Sequence, residues 1–210
     1  MTIYLASSLD LPADYAAKHS EHGLVALLHE GESALIETLQ AKVDTPILVD
    51  IHGPTLSRVN FDAVELLIAD LTPETLLSAG GRRLMDALGH LAQEGELSLA
   101  FAGDATAVTG LLLEDGITAG LNLIPRTVII PDVQAVPSLA ALLGRASEQG
   151  VRLLALDAPV VAAYEPENDT VSVQGAGSAL LASFLGGDNG ERPTARLHAL
   201  TDGMRDGWPA

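Results

Sequence analysis

The clearest chemical signal in the sequence follows the apolar run at residues 97–102, where Gly103, Asp104, Ala105 and Thr106 come in succession. The pattern predicts a buried strand, a sharp turn and the start of a helix. In α/β hydrolytic folds such a turn presents a nucleophile at the carboxyl end of the sheet, and the crowded turn requires small neighbours. Amide groups at the helix start would attract an anionic species. The plainer interpretation is an ordinary turn in which Asp104 caps the helix.

A pair of glycines, Gly80 and Gly81, gives a second signal. They follow a strand predicted over residues 75–78 and precede an amphipathic helix predicted over residues 81–94. Paired glycines after a strand allow a positive φ and a close approach of the backbone to a ligand. Together with the helix start after Gly103, this turn could form an oxyanion hole.

Histidines could supply metal ligands, because His19 and His22 have a spacing that directs two imidazoles to one ion, with His29 and His52 further along the chain. The polar sequence around His19 and His22 indicates a solvated surface instead, so no metal site and no cofactor are predicted. His52 follows the strand predicted over residues 47–51. It is therefore a candidate for the ligand crevice at the carboxyl edge of an α/β sheet.

The elements that position these residues are short aliphatic runs alternating with helical patterns. This alternation predicts βαβ units in a three-layer α/β sandwich with a mostly parallel sheet. The predicted strands cover residues 2–6, 24–28, 47–51, 75–78, 97–102, 127–130 and 152–156, and the predicted helices cover residues 33–43, 60–68, 81–94 and 138–149.

The end of the chain changes character. Three strand-like runs at residues 159–164, 170–174 and 178–184 predict antiparallel hairpins added at the sheet edge. Residues 1–185 are therefore predicted to form one α/β domain, and residues 186–210 a loop and a loosely held tail. Trp208 in that tail either anchors a partner or folds back onto the domain.

The composition excludes several classes of function. The formal net charge of −17, with 28 acidic and 11 basic residues, opposes binding to nucleic acids and to anionic membranes, and Arg82-Arg83 is the only close basic pair. With no cysteine, the chain has no disulfide, cysteine-bound zinc or thiol nucleophile. No apolar run reaches the ~20 residues of a membrane span, and no signal-peptide pattern opens the chain. A cytoplasmic location is expected.

Taken in order along the chain, these segments resemble the cyanophycinase / peptidase E family of serine hydrolases. The similarity covers residues 70–185 and is most specific in the Ala-Gly-Leu-Asn-Leu-Ile-Pro sequence at residues 119–125 and the hairpin at residues 171–178. The resemblance implies a fold like that of class I glutamine amidotransferases, with C-terminal antiparallel hairpin strands. It also implies an ancestry among peptidases.

The departures from the family fall on its catalytic positions. The family's serine falls on Ala105, and its histidine falls near Gln134, with Asp132 retained. One acid, Asp157, is left of an acidic pair. A serine hydrolase needs a hydroxyl activated by a base. The resemblance therefore implies a degenerate site with no catalytic residue.

Two functions of different class follow. The first is a pseudoenzyme, in which a crevice binds an unknown small-molecule or peptide ligand, and acidic side chains favour a cationic or amine-bearing one. The second is an amide or peptide hydrolase with a rearranged nucleophile, either Thr106 or Asp104. Self-association, for example as a homodimer, is left open. The predicted crevice is lined by Gly80, Gly81, Gly103, Asp104, Ala105, Thr106, Asp132 and Asp157.

Overall fold

The computed structural model describes residues 1–8, 14, 16–18, 20, 21, 23–54, 56, 59–94, 97–185 and 194–209. Short 3₁₀ helices lie at Phe61–Ala63, Gly103–Thr109 and Val133–Ala135. The other elements, in chain order, are β1 (Ile3–Ala6), β2 (Leu24–His29), α1 (Ala34–Lys42), β3 (Ile47–Asp50), β4 (Val64–Asp70), α2 (Pro73–Leu77), α3 (Ala79–Glu94), β5 (Ser98–Ala102), β6 (Thr127–Ile130), α4 (Leu139–Glu148), β7 (Arg152–Asp157), β8 (Val161–Glu165), β9 (Thr170–Gln174), β10 (Ser178–Leu185), β11 (Thr194–Leu200) and β12 (Arg205–Gly207).

The described strands form two sheets. The larger sheet has the order β12-β9-β8-β1-β5-β4-β2-β3, in which β1 to β5 are parallel and β8, β9 and β12 are antiparallel. The smaller sheet has the order β11-β10-β7-β6, and only β6 and β7 are parallel in it. The predicted α/β class is confirmed. The prediction of one mostly parallel sheet is wrong, because the C-terminal strands divide between two mixed sheets.

Alternating side chains of the central strands fill the two faces of the larger sheet. On β4, Leu66 and Ile68 join an apolar cluster with Leu35 and Leu39 of α1. Between them, Leu67 points to the main core, which also contains buried side chains of α3. The larger sheet is thus covered by α1 on one face and by α3 and the smaller sheet on the other.

At β7 the smaller sheet is buried on both faces in the same way. Leu154 and Leu156 of β7 belong to the main core. Leu153 and Ala155 face the other side, where they cluster with Leu142 of α4. The smaller sheet therefore lies between α4 and the main core, and the two sheets share that core.

The helix predicted over residues 60–68 is a strand. Asn60 does act as a cap, since its Oδ1 accepts a hydrogen bond from the Asp62 amide (3.3 Å), but only a 3₁₀ turn follows. The apolar run from Val64 pairs with β2 on one side and β5 on the other. A strand buried on both faces has no alternation of polarity, so a short apolar run does not distinguish it from a helix.

The strand predicted over residues 75–78 is helix α2. Thr72 accepts a hydrogen bond at its Oγ1 from the Thr75 amide (3.3 Å), and Pro73 occupies the start of the helix. A threonine cap followed by proline is a helix start signal. Gly80 and Gly81 consequently lie in the first turn of α3, and the element directly before them is helix α2.

The predicted hairpin of β8 and β9 is confirmed, whereas β10 is not the third strand of that hairpin. β10 pairs with β7 in the smaller sheet instead. The link at Gly177 crosses between the sheets, and its amide donates to the Pro159 carbonyl (2.8 Å). A carbon atom on Gly177 would lie 1.8 Å from the Asp157 carbonyl oxygen, so this crossing requires glycine.

The end of the chain is ordered by both sheets, contrary to the predicted loose tail. β11 pairs along β10, and β12 pairs with β9. Trp208 is half-buried against the main core, which accords with folding back. Residues 186–193, the other part of the predicted tail, lie outside the described residues. Among the helices that are described, none is long and apolar enough to span a membrane.

Candidate functional site

The bend after β5 has its left-handed residue at Gly103, whose φ is +56°. Glycine adopts this conformation without the steric cost that a side chain would bring. A 3₁₀ helix follows in place of the predicted α-helix. Ala105, the predicted nucleophile position, lies within that helix and is 5% exposed. The sharp turn therefore occurs two residues before Ala105, at a residue without a side chain.

The two alternative nucleophiles differ in accessibility. Thr106 is fully buried, and its Oγ1 donates a hydrogen bond to the Gly103 carbonyl (2.7 Å). Its own carbonyl accepts from the Thr109 hydroxyl (2.7 Å). Asp104 is exposed and lines two clefts described below. The hydroxyl of Thr106 is thus engaged inside the protein, whereas the carboxylate of Asp104 faces ligand space.

The glycine pair serves helix packing. A carbon atom on Gly81 would lie 2.1 Å from the Thr75 carbonyl oxygen, so only glycine allows α2 and α3 to approach this closely. The Gly81 amide donates to Ser78 Oγ (3.0 Å) and is not free to act in an oxyanion hole. Gly80 is exposed. Neither glycine lines either of the two clefts, although both were predicted to line the crevice.

The positions assigned to the family's histidine and acid are in contact. Gln134 Nε2 donates to Asp157 Oδ1 (3.0 Å). Asp132 accepts the Gln134 amide at its Oδ1 (2.9 Å) and caps the 3₁₀ turn at Val133–Ala135. The three residues that the family resemblance assigns to the site thus lie in one cluster. The side chain of Gln134 in this cluster is an amide, which has no basic nitrogen.

Two clefts adjoin the bend after β5, and they share Pro73 and Asp104. The first, which we call the acidic cleft, has a volume of about 440 Å³. Its lining includes Glu30, Glu32, Asp70, Thr72, Gly103, Asp104 and Ala105. The second, the apolar cleft, has a volume of about 350 Å³ and includes Val108, Leu113, Ile130, Asp132 and Val136. Of the predicted crevice, Thr106 and Asp157, like Gly80 and Gly81, line neither cleft.

Two carboxylates of the acidic cleft, those of Glu30 and Asp70, are held by neutral donors. Glu30 accepts hydrogen bonds from the Thr75 hydroxyl (2.5 Å) and from the Thr72 amide (2.5 Å). Burial opposes ionisation of Glu30, but these hydrogen bonds and the nearby His52 lower its pKa overall. Asp70 accepts from the Ser33 hydroxyl. Among the described residues, no lysine or arginine lines this cleft.

Glu30, Glu32 and Asp70 were not predicted as site residues. Glu30 directly follows β2, and Asp70 is the last residue of β4. Both therefore lie at the carboxyl edge of parallel strands, where ligands bind in open α/β sheets. For Asp70 the helix predicted over residues 60–68 hides this signal, whereas Glu30 follows a strand that was predicted.

The histidines do not form a metal site in the described part of the chain. His19 and His22 lie outside the described residues. His29 ends β2, with its Nδ1 2.9 Å from the Gly31 carbonyl. His52 is exposed near Glu30 and does not line the acidic cleft. Among the described residues, no three histidine or carboxylate side chains are placed to hold a metal ion.

The segment most specific for the family resemblance is held by Arg82. Its guanidinium donates to the carbonyls of Ala119 (2.6 Å) and Gly120 (2.7 Å). A carbon atom on Gly120 would lie 2.2 Å from the Gly110 carbonyl oxygen. These residues shape the backbone behind the apolar cleft and contribute no reactive group.

Comparison with known proteins supplies the fold but no family. No family model matches the chain, and no curated protein matches it. Among solved structures, the chain is similar to a peptidase from an acI-B1 Actinobacterium, over 99% of this chain and 96% of that chain, with a TM-score of 0.64 and 13% sequence identity. Since the identity is so low, the likeness shows the fold alone, and that fold is the α/β fold of a peptidase.

Proposed function

We propose that this chain is a non-catalytic relative of the cyanophycinase / peptidase E-like serine hydrolases, and that it binds a cationic or amine-bearing small molecule or peptide at the carboxyl edge of its larger sheet. The observation that carries the proposal is the bend after β5. Gly103 has no side chain, Ala105 has only a buried methyl group, and the Thr106 hydroxyl is bonded inside the protein. No serine or threonine hydroxyl is displayed there.

A missing base supports the same conclusion. Acyl transfer by a hydroxyl needs a group that accepts its proton, usually an imidazole. Gln134 holds the corresponding position in the cluster with Asp157, and its amide cannot take up a proton near neutral pH. Loss of one partner of such a pair removes nearly all of the covalent rate. Loss of both makes hydrolysis by this route negligible.

The class of ligand follows from charge. Glu30, Glu32, Asp70 and Asp104 surround one cleft, and the lining that the structure describes contains no basic residue. The lowered pKa of Glu30 keeps that carboxylate ionised below its ordinary titration range. Negative side chains in a concave site attract cations and raise their local concentration. The adjoining apolar cleft would accommodate a side chain attached to the amine.

The catalytic half of the proposal is tested with a fluorophosphonate probe and peptide substrates. We expect no covalent labelling and no hydrolysis, with a known serine hydrolase labelled in parallel. Because Thr106 is buried, Thr106→Ala should leave this result unchanged. Labelling of a single residue, or turnover that Thr106→Ala abolishes, would favour the rearranged hydrolase.

The binding half is tested with amines of graded charge, such as spermidine, arginine amide and n-butylamine, by NMR titration at low and at 0.5 M salt. Affinity should rise with positive charge and fall with salt. Asp104→Asn should weaken binding several-fold, whereas Asp62→Asn, a matched change at an exposed carboxylate on the Phe61–Ala63 turn, should not. Equal binding of butyrate and butylamine would contradict the ligand class.

A further inference from the structure

A separate cavity of about 450 Å³, which we call the arginine cavity, has no part in the proposed function. Its lining includes Val151, Tyr164 and Phe184, with three charged residues, Arg126, Arg152 and Asp169. In a chain with 11 basic and 28 acidic residues, two arginines in one cavity stand out from the surrounding charge. The cavity must therefore be considered as a site for an anion.

The arginine cavity lies at the edge opposite to the acidic cleft. Arg152 begins β7 and pairs in register with Thr127, the first residue of the parallel strand β6. Tyr164 is opposite Ile3, at the amino end of β1. The bend at Gly103 follows the other end of the same group of parallel strands. The two sites are thus separated by the length of the strands.

Arg152 is already neutralised within the protein. Its Nη1 forms an ion pair with Asp169 (2.5 Å), and its Nη2 donates to the Pro125 carbonyl (3.0 Å). Asp169 also accepts the Tyr164 hydroxyl (3.0 Å). Burial opposes ionisation of Asp169, but its bonds with Arg152 and Tyr164 lower its pKa overall. Arg152 therefore builds the wall of the cavity and has little charge left for a ligand.

Arg126 differs from Arg152 in the pairing of its guanidinium. Its side chain is exposed, and no hydrogen bond or ion pair of its guanidinium occurs in the part of the chain that the structure describes. Its backbone is left-handed, with φ at +56°, which is uncommon for a residue with a side chain. Its carbonyl accepts the Arg152 amide (2.6 Å), which fixes this backbone beside the cavity. The described lining of the cavity thus holds two positive charges and one negative charge.

The rest of the lining is largely apolar. Val151 is buried, and Phe184 is half-buried beside the charged groups. The guanidinium carbon of Arg152 lies 4.3 Å from the centre of the Trp208 ring, so an aromatic face supports the cavity from behind. A bound molecule that combined an apolar group with an anionic end would contact both kinds of wall.

We propose that the arginine cavity binds a small organic monocarboxylate, with Arg126 pairing with its carboxylate. A planar guanidinium matches a carboxylate with two parallel hydrogen bonds. The single net positive charge of the lining balances one negative charge. A phosphate monoester would add a second negative charge to a protein whose net charge is −17, so the carboxylate is favoured.

The chain contains its own reporter for this test, because Trp208 is its only tryptophan. Cyclohexanecarboxylate, which does not absorb where tryptophan is excited, is titrated at constant ionic strength up to 50 mM. We expect a saturable change in Trp208 fluorescence and saturable ¹H–¹⁵N shifts at Val151 and Phe184. Cyclohexylamine should produce neither, and cyclohexyl phosphate should bind more weakly than the carboxylate.

Variants make the assignment specific. Arg126→Gln should weaken cyclohexanecarboxylate binding by about tenfold or more, as loss of a charged hydrogen-bonding pair does. Arg83→Gln, a matched change at an exposed arginine of α3, should leave the affinity unchanged. Unaltered binding in Arg126→Gln, stronger binding of the phosphate, or saturable shifts confined to residues outside the cavity would each overturn the proposal. The absence of any saturable shift would do the same.

Discussion

The acidic cleft and the arginine cavity lie at opposite edges of the strands and hold their charges differently. In the acidic cleft, Glu30 and Asp70 are fixed by hydroxyl and amide donors, and neither forms an ion pair with a described residue. In the arginine cavity, Arg152 is compensated by Asp169 and supported by Trp208. Only Arg126 is left with an available charge there.

The two sites show how one fold can present two kinds of electrostatic surface. Hydrogen bonds from neutral groups stabilise an ion without cancelling its field, so they preserve charge for a ligand. An ion pair cancels most of the field and mainly orders the structure. The number of charged residues in a site therefore predicts its ligand only when residues that form ion pairs within the protein are left out of the count.

The largest expected effect comes from the glycine that supports the acidic cleft. Gly81→Ala would place a carbon atom 2.1 Å from the Thr75 carbonyl oxygen and force α2 away from α3. Since overpacking costs about 1–3 kcal/mol and this contact is with rigid backbone, we expect a loss near 3 kcal/mol in urea unfolding.

The neighbouring glycine supplies the control. Gly80 is exposed in the same helical turn, and the nearest atom to an added carbon is Ser78 Oγ at 3.8 Å. Gly80→Ala should be neutral or stabilising, by about 0.5–1 kcal/mol, because alanine favours the helix. Equal effects of the two changes would mean that Gly81 is not a packing residue.

Arg152→Ala removes the support of the opposite edge. It breaks the pair with Asp169, the hydrogen bond to the Pro125 carbonyl and the contact with Trp208. Asp169 is half-exposed, so solvent limits the cost of leaving it unpaired. We expect a loss of about 2 kcal/mol in urea unfolding, together with a red shift of Trp208 fluorescence. The control Arg83→Ala, at an exposed position, should change stability by less than about 0.5 kcal/mol. If Arg83→Ala lost as much stability as Arg152→Ala, the contacts of Arg152 would not explain its effect.

Alkaline pH should act on the arginine cavity and not on the acidic cleft. Burial and the charge of Asp169 raise the pKa of Tyr164 to about 12, against 10.0 for an exposed tyrosine. The unfolded chain therefore loses this proton first, and stability falls as pH rises from 10 towards 12. We expect Tyr164→Phe to flatten this part of the curve of Tm against pH by about 2–4 °C. If the variant and the parent fall in parallel, Tyr164 is not the group that titrates.

The smallest expected effect concerns the cluster at Gln134. Its hydrogen bond to Asp157 is exposed, so Gln134→Ala should cost about 0.5 kcal/mol. Gln93→Ala, at an exposed position of α3, serves as the control and should cost nothing. A loss above about 2 kcal/mol in Gln134→Ala would contradict this expectation, because an exposed hydrogen bond does not stabilise the fold by that much. Both variants are compared by thermal unfolding.

Much of the local structure could be predicted from residue types. The strands at residues 127–130 and 170–174 have the predicted bounds, because aliphatic runs there end at turn residues. Thr72 and Pro73 form a helix start signal for α2, which the strand predicted over residues 75–78 does not take into account. The strand at Val64–Asp70 was unrecognisable, because its burial on both faces results from its two neighbours.

The candidate sites were less predictable than the elements. Gly103, Asp104 and Ala105 were named from the pattern around the bend and line the acidic cleft. The threonine and serine donors of its carboxylates come from elsewhere in the chain. Arg126 and Asp169 are 43 residues apart and meet only because β6 and β7 run parallel beside the β8–β9 hairpin.

Residue types were thus enough for the α/β class and the acidity, since each depends on local patterns or on a sum over the chain. They left Thr106 open as a nucleophile, and only the tertiary structure buries its hydroxyl. The division of twelve described strands between two sheets was a matter of long-range packing. Every strand offers the same backbone donors and acceptors, so its partners are selected by which apolar faces can be buried together. The same selection brings distant charges to one edge, where Arg126 has no ion-pair partner among the described residues.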